Sequence, residues 1–538
     1  MKKILFASVS TLAFLACTPA VAQNNTSTVG QTGSDGQVSV AQTGSGALST
    51  VNQGGDDNVV EVSQSGVGAE SVVTQDDATG SDDDNEAFVS QDGDSYSSVR
   101  QTADRALADV AQEGDAHRSI VEQSGSDDTA YVSQSGTNND STVLQSGSSN
   151  AADVAQSNSG NTSSVFQTSG LNDAIVEQTG ADNQSTVTQQ GGLFGAAANS
   201  ANVLQSGDSN SSTVTQGGVL NSAGDGDDAT VRGVVQSGDN NMSNVVQNGG
   251  LQDAYVEQSG SGNSSDVNQG GSLGAAHSAE VDQGGDGNVS TILQRGALSD
   301  AFVDQGGNGN SSDIDQGGTA GTSHSTDVAQ SGNSNSSSVL QRGTSSEALV
   351  DQSGDNNSSD VNQGLLGSHY ADVSQSGDDN SATIDQLGWN QEAYVEQIGG
   401  SNTGTISQGT VNGSGQYASI IQGGEGNSSD IVQDGAGHTG ETDQAGDANS
   451  STLTQNGSNQ FAALTQDGSD NLSDIDQSGS DNSAVVDQFG DLNESNVFQN
   501  GADNSATVAQ YSNGNASTIN QNGTGNSAVV TQGGPSSN

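Results

Sequence analysis

One cysteine, two prolines and eight basic residues occur in the 538 positions of this chain. The cysteine, Cys17, sits near the N-terminus. A cut after Ala22 would remove it and leave a product with no disulfide, thiol nucleophile or zinc–thiolate site. The prolines are Pro19 and Pro535. The roughly 500 residues between them therefore have every backbone N–H that a sheet ladder needs, unlike linkers, where proline is common. Eight Lys and Arg face 66 Asp and Glu, a formal net charge of −58. That balance leaves no basic patch for phosphates, so nucleic-acid binding is disfavoured. Aromatics make up 3% and all hydrophobics 29%, too few for ordinary globular cores. Low hydrophobicity with high net charge is by itself the composition of a disordered chain.

Residues 1–22 have the order of a secretory signal. Lys2 and Lys3 open it, an apolar run follows from Ile4 to Ala16, and Ala20, Val21 and Ala22 precede the expected cut. The apolar run is too short to span a bilayer as a retained anchor. Lipidation at Cys17 is the weaker reading, because Phe14 and Leu15 are poor residues for a lipobox.

What the remainder has is one template, N-x-(S/A)-x-(V/I)-x-Q-x-G, met 44 times from Gln31 to Gln532. In residues 471–493 it is filled by Asn471, Ser473, Ile475, Gln477 and Gly479, then by Asn482, Ala484, Val486, Gln488 and Gly490. Each named position is two residues from the next, so an extended strand points them all to one face. The site two before the glutamine is Val, Ile or Leu in 43 of 44 copies, Thr442 being the exception. A disordered acidic chain has no physical reason to hold that phase. The site four before the glutamine alternates, Ser473 and Ser495 in one set of copies and Ala484 and Ala506 in the other. The true period is therefore 22 residues, with two inequivalent strands per turn.

The expected fold is all-β: a parallel β-solenoid of about 22 turns, two short strands per turn, with one variable loop edge. Spacings longer than 11 follow Gln75, Gln189, Gln216, Gln269, Gln316, Gln363 and Gln408. All are odd-numbered copies, which predicts that every insertion lies at the same edge. The register near Gln236 is the least determined, since Arg232 would point inward and a slide toward Ala229-Thr230-Val231 relieves this. Inside, identical Asn and Gln amides stacked at strand spacing can bond to one another along the axis. The glycine after each glutamine, with Asp or Asn nearby, suits a corner with positive φ.

Outward positions are acidic or small and polar. Asp313 and Asp315 flank Ile314, and Asp474 and Asp476 flank Ile475. Carboxylates on neighbouring turns would lie about 5 Å apart and repel by about 1 kcal/mol per pair in water. Acid, salt or divalent cations are then expected to promote assembly. The longer corners are apolar, placing Leu193, Phe194, Leu273, Leu365 and Leu366 along one edge. They read either as harmless bulged corners or as a stripe for lateral association.

Catalytic chemistry is not indicated, and no cofactor is expected. His117, His277, His324, His369 and His438 show no common phase and read as solvated surface or corner residues. Acidic runs such as Asp82-Asp83-Asp84 could bind calcium weakly but lack the spaced ligands of an EF-hand. Trp389, Tyr255 and Tyr394 read as strand-surface residues rather than a sugar platform.

The series Ser473, Ile475, Gln477, Gly479, Asn482, Ala484, Val486 and Gln488 resembles the curlin repeat of curli subunits, secreted functional amyloids of Gram-negative biofilms. The likeness runs over essentially the whole chain after residue 22. It implies a solenoid that polymerises with itself into extracellular fibres, a minor nucleator subunit and an outer-membrane export channel as partners, and no membrane span in the mature chain. Two departures stand out: about 22 repeats instead of a handful, and room only in residues 23–28 for the family's non-repeat export segment. The expected organisation is a signal at 1–22, a repeat domain at 23–534 and a short tail at 535–538. Two alternatives to a fibre subunit remain: a non-polymerising acidic solenoid adhesin and a calcium-responsive matrix protein.

Overall fold

The structure, a computed structural model, describes residues 24–76, 84–191, 198–223, 233–271, 276–318, 323–364, 367–409 and 414–534. The segment 1–22, Pro535, Arg232, the run Ala229-Thr230-Val231, and Leu193, Phe194, Leu273, Leu365 and Leu366 lie outside the described residues.

The chain is a parallel β-solenoid with two strands per turn, and the described residues contain no helix. Strands alternate between two sheets. The Ser-bearing copies form one sheet of 22 strands, and the Ala-bearing copies form the facing sheet. Each strand pairs with the strand two copies on, in register: Ile475 lies beside Leu453 and Val497, and Val486 beside Leu464 and Val508. With 22 rungs at about 4.8 Å, the rod is about 100 Å long.

The period-2 pattern decides which face is buried. In the strand Leu472–Ser480, Ser473, Ile475 and Gln477 are buried while Leu472, Asp474 and Asp476 point away from the interior. A single apolar core runs the whole length, from Val51 to Ile519, built almost wholly of Val, Ile and Ala. So few hydrophobic residues suffice because each is buried between like neighbours above, below and across, and fully burying such a side chain contributes about 1.5–3 kcal/mol. The low hydrophobic content is therefore no sign of disorder here: the interior is only as wide as two facing side chains.

Six of the seven insertions fall where the Ser-bearing sheet hands over to the Ala-bearing sheet, at one corner. The seventh does not, and the expectation that all share an edge is corrected on this point. After Gln216 the corner is of normal length, and the extra residues instead split a strand into Ser222–Ala223 and Val234–Gln236. Both halves lie between the same two neighbours: Ala223 pairs with Ala201, and Val234 with Val203 and Val256. The register near Gln236 is thereby settled. Ala223 fills the inward site, and Gln236 keeps its place in the glutamine column.

The outward carboxylates also differ from expectation. At the three outward strand positions, acids avoid neighbouring rungs. Asp474 lies between Thr452 and Asn496, Asp476 between Thr454 and Phe498, and Asp372 between Leu349 and Tyr394. Like charges in one column are thus two rungs apart, about 10 Å, close to the screening length at physiological salt. At these three positions the one uninterrupted run among the described residues is Glu257, Asp282 and Asp304, and one residue past the glutamine Asp92 lies beside Glu113. On the strand faces the expected repulsion is therefore largely avoided, which the single-strand pattern could not show, whereas at the corners Asp208 stacks beside Asp239 and Asp355 beside Asp378.

Candidate functional site

The side chains that join one rung to the next are the candidate site, because the same contacts would join one molecule to another. The inward glutamines lead. Gln477 Nε2 donates to Gln499 Oε1 at 2.8 Å and, with its second N–H, to the Phe461 carbonyl at the start of a facing strand at 2.9 Å. Gln455 Nε2 in turn donates to Gln477 Oε1 at 3.0 Å. In the other sheet Gln466 donates to Gln488, and Gln488 to Gln510. Each amide therefore bonds along the axis and also ties the two sheets together. Glutamine suits this and asparagine does not, since the extra methylene is needed to reach the facing strand.

The columns run unbroken in both sheets, from Gln31 to Gln521 and from Gln42 to Gln532, even across insertions such as Gln205 to Gln236. Every bond has the same sense: the earlier residue donates and the later one accepts. The first rung therefore offers Gln31 and Gln42 side-chain oxygens outward, and the last rung offers Gln521 and Gln532 amide N–H groups.

The asparagines form a second column at the corners with the opposite sense. Asn471 Oδ1 accepts from the Asn493 backbone N–H at 3.0 Å, while the Asn471 N–H and Nδ2 donate to Asn449 Oδ1 at 3.1 and 3.0 Å. Asn482 Oδ1 likewise accepts from the Asn504 N–H. The small residues at the Ser473 and Ala484 positions are buried, and this position faces the glutamine and Val/Ile columns of the opposite sheet, as Gln444 Nε2 donating to Ser451 Oγ shows, so their small size lets the two sheets approach closely.

Gly479 and Gly490 do take positive φ, +110° and +102°. The stronger reason for glycine at these sites is stacking. A Cβ on Gly479 would stand 2.0 Å from the carbonyl oxygen of Gly501, directly above it. The left-handed corner position proper is two residues further on, at Asp470, Asp481 and Asp503 with φ of 54–56°.

The histidines are the main correction. All five lie six residues before their own glutamine, in the corner asparagine position, and all are buried. His117 Nδ1 accepts the Asn139 N–H, His277 Nδ1 the Ser299 N–H, His324 Nδ1 the Ser346 N–H and His438 Nδ1 the Gln460 N–H, at 3.3–3.4 Å. Nδ1 thus replaces the asparagine oxygen, which requires the neutral ring. Burial lowers the pKa of His277 and His438, and burial with the nearby Arg342 guanidinium brings His324 down to about 4. The signal was in the sequence, as a fixed distance to each glutamine. Insertions hid it by shifting the absolute numbers.

Other polar features are structural. Asp128 also replaces a corner asparagine and accepts from Asn150, and burial raises its pKa. Asp315 is gripped by Arg295 and Arg342 at 2.7 and 2.5 Å. Burial raises the outward Asp153, Asp313, Asp372, Asp430 and Asp474. Tyr255 and Tyr394 stand on the outer strand face, whereas Trp389 lies on a corner and not on a strand. No group of three or more metal-ligating side chains occurs among the described residues.

Fold and site together define a class: a two-sheet parallel solenoid whose rungs are coupled by polar amide columns. Seven segments match the family model of the curlin associated repeat, at residues 103–136, 128–157, 238–271, 367–388, 377–409, 468–501 and 501–534. The matches are spread along the rod and support the curlin-repeat family. No curated relative matches it.

Proposed function

We propose that this chain is a secreted structural subunit that polymerises end to end into curli-like amyloid fibres of an extracellular matrix. The observation that carries the reading is the one-way glutamine column. Any rung is a donor toward later rungs and an acceptor toward earlier ones, so the end at Gln521 and Gln532 complements the end at Gln31 and Gln42. The terminal strands Thr26–Thr32 and Ser527–Gln532 each pair on one side only, which leaves a row of backbone groups to template another strand. The described rungs begin in the Ser-bearing sheet and end in the Ala-bearing sheet, so a following copy would continue the alternation. Export would use residues 1–22 as the cleaved signal, in a Gram-negative host, with an outer-membrane channel and a nucleator subunit as the partners that the family suggests. Biofilm structure and cell adhesion would follow from the fibre. The role is structural and not enzymatic, and self is the main partner.

Electron microscopy of purified residues 23–538 tests this. Filaments far longer than 100 Å, with fibre diffraction at the inter-strand spacing, are the expected result. Rods that stay monomeric at all concentrations would contradict it and support the adhesin.

A further inference from the structure

We infer that one corner of the rod is a lateral docking edge for the same corner of a second copy. The corner in question is the hand-over from the Ser-bearing to the Ala-bearing sheet. Between residues 168 and 416 it passes through 11 successive rungs, and its described loop residues include no Asp or Glu. The same corner carries Asp35, Asp56, Asp57, Asp104 and Asp127 before that stretch, and Asp434, Asp481 and Asp503 after it. The opposite corner over the same rungs keeps Asp182, Asp208, Asp239, Asp286, Asp355 and Asp378.

Apolar side chains replace the acids. Leu171, Leu220, Leu251 and Leu298 are each more than half exposed, and further along Leu387 and Trp389 are 41% and 45% exposed. The four leucines occupy the left-handed corner position, with φ of +62°, +57°, +60° and +57°. Most other rungs put Asp, Asn, Ser or Gly there, residues that tolerate that conformation and water, with Arg105, Ala116, Ala198 and Ala448 as scattered exceptions and Leu492 as a lone exposed leucine on the opposite corner. A leucine is unfavourable on both counts, and four of them on one corner imply a contact that offsets the cost. Leu220 and Leu251, on adjacent rungs, border a groove with Ala198 and Gln252 into which a facing ridge could seat, with one carboxylate, Asp253 at the start of the next strand, on its rim.

Charge identifies the occupant. Two copies with a net charge of −58 repel wherever their acidic faces meet, and this stretch is where they can approach. The two arginines among the described residues of the edge, Arg295 and Arg342, are both engaged by Asp315, so among these residues an anionic partner finds no unpaired cation. A cationic partner would seat on the acidic faces instead. The inference concerns the side of the rod and does not depend on polymerisation through its ends.

Trp389 is the only tryptophan in the chain and sits on the edge, so it reports contact directly. The test compares the full mature chain with L171N/L220N/L251N/L298N, since asparagine accepts the left-handed conformation and the variant should fold at least as well. With rising salt and protein concentration, the parent should show a blue shift of Trp389 emission, several-fold protection from a soluble quencher, and paired rods or bundles by sedimentation and microscopy. The variant should lose all three. Equal bundling by both proteins, or bundles in which Trp389 stays quencher-accessible, would overturn the inference. So would a blue shift with neutral phosphatidylcholine vesicles but not with concentration, which would make the occupant a lipid surface. Rods that pair sideways without elongating would sustain this inference while contradicting the end-to-end reading.

Discussion

Gln477 Nε2 lies 2.8 Å from Gln499 Oε1, one rung further along the rod, and the same nitrogen reaches the Phe461 carbonyl on a facing strand. One side chain therefore sets both the axial register and the separation of the sheets. In most proteins a buried amide is tolerated; here a column of them is the principal connection. Replacing Gln477 with Leu removes one of the two acceptors of Gln455 Nε2, the side-chain donor to Gln499 Oε1 and the side-chain donor to the Phe461 carbonyl together. A buried group left short of its partner costs about 1–3 kcal/mol, so local stability near residues 455–499 should fall by about 2–4 kcal/mol. Hydrogen exchange is the suitable readout, because a long repeat array opens locally as well as globally. The same change at Gln31, on the exposed first rung, should cost under about 0.5 kcal/mol.

Glycine columns give a sharper contrast. Gly479→Ala would drive a Cβ to within 2.0 Å of the Gly501 oxygen, at a φ of +110°. We expect a loss of about 3 kcal/mol or more, with the rung sprung open. Gly287, at φ +67°, faces open space: a Cβ there would meet no atom within 4 Å, and Gly287→Asn should be nearly neutral. Parallel denaturation of the two variants checks this.

Acid acts on two sets of groups in opposite directions. The folded state lowers the proton affinity of His277, His324 and His438. Stability from these rings is complete above the unfolded value near 6.5 and is lost as pH falls toward about 4, the value of His324. For His324 alone the loss is roughly 3 kcal/mol. The raised outward carboxylates act oppositely: the folded state holds their protons more tightly, so they add stability as pH falls toward the ordinary carboxylate value. H277N/H324N/H438N should therefore become more stable than the parent between pH 6.5 and 4, with little difference at pH 8. Hydrogen exchange of the adjoining rungs at the three pH values measures it.

Thr442 interrupts the Val/Ile column between Ile420 and Leu464, and its buried hydroxyl has no hydrogen-bond partner. Thr442→Val keeps the shape and removes that cost, and should raise local stability by about 1 kcal/mol, measured by exchange protection of the strand Thr439–Ala445.

The buried face of every strand was legible from period 2, and the two sheets from the Ser/Ala alternation at Ser473 and Ala484, because both depend on a single chain's spacing. What escaped the sequence is relational. The spacing of Asp474 from other acids depends on which residues share its column, and that needs the register across insertions. The split strand at Ala223 and Val234 imitates a corner insertion when only glutamines are counted. The histidines were missed for want of measuring each from its own glutamine. The leucine edge was expected from inserted residues, whereas the described part of it, Leu171 to Leu298, belongs to corners of ordinary template length.

A cysteine pair tests the central claim that the end of one copy continues into the start of the next. Thr28 and Thr518 occupy the same outward position in the first and last strands of the Ser-bearing sheet, Thr26–Thr32 and Ala516–Thr524. Stacked in register across a junction, their Cα atoms would stand about 5 Å apart, within disulfide range. Oxidised T28C/T518C chains should give a ladder of covalent multimers on denaturing gels, while T28C or T518C alone should give at most dimers, and few of them. A double variant that stays monomeric under oxidation while filaments are present, or a T28C variant that dimerises as efficiently as the pair multimerises, would contradict the account.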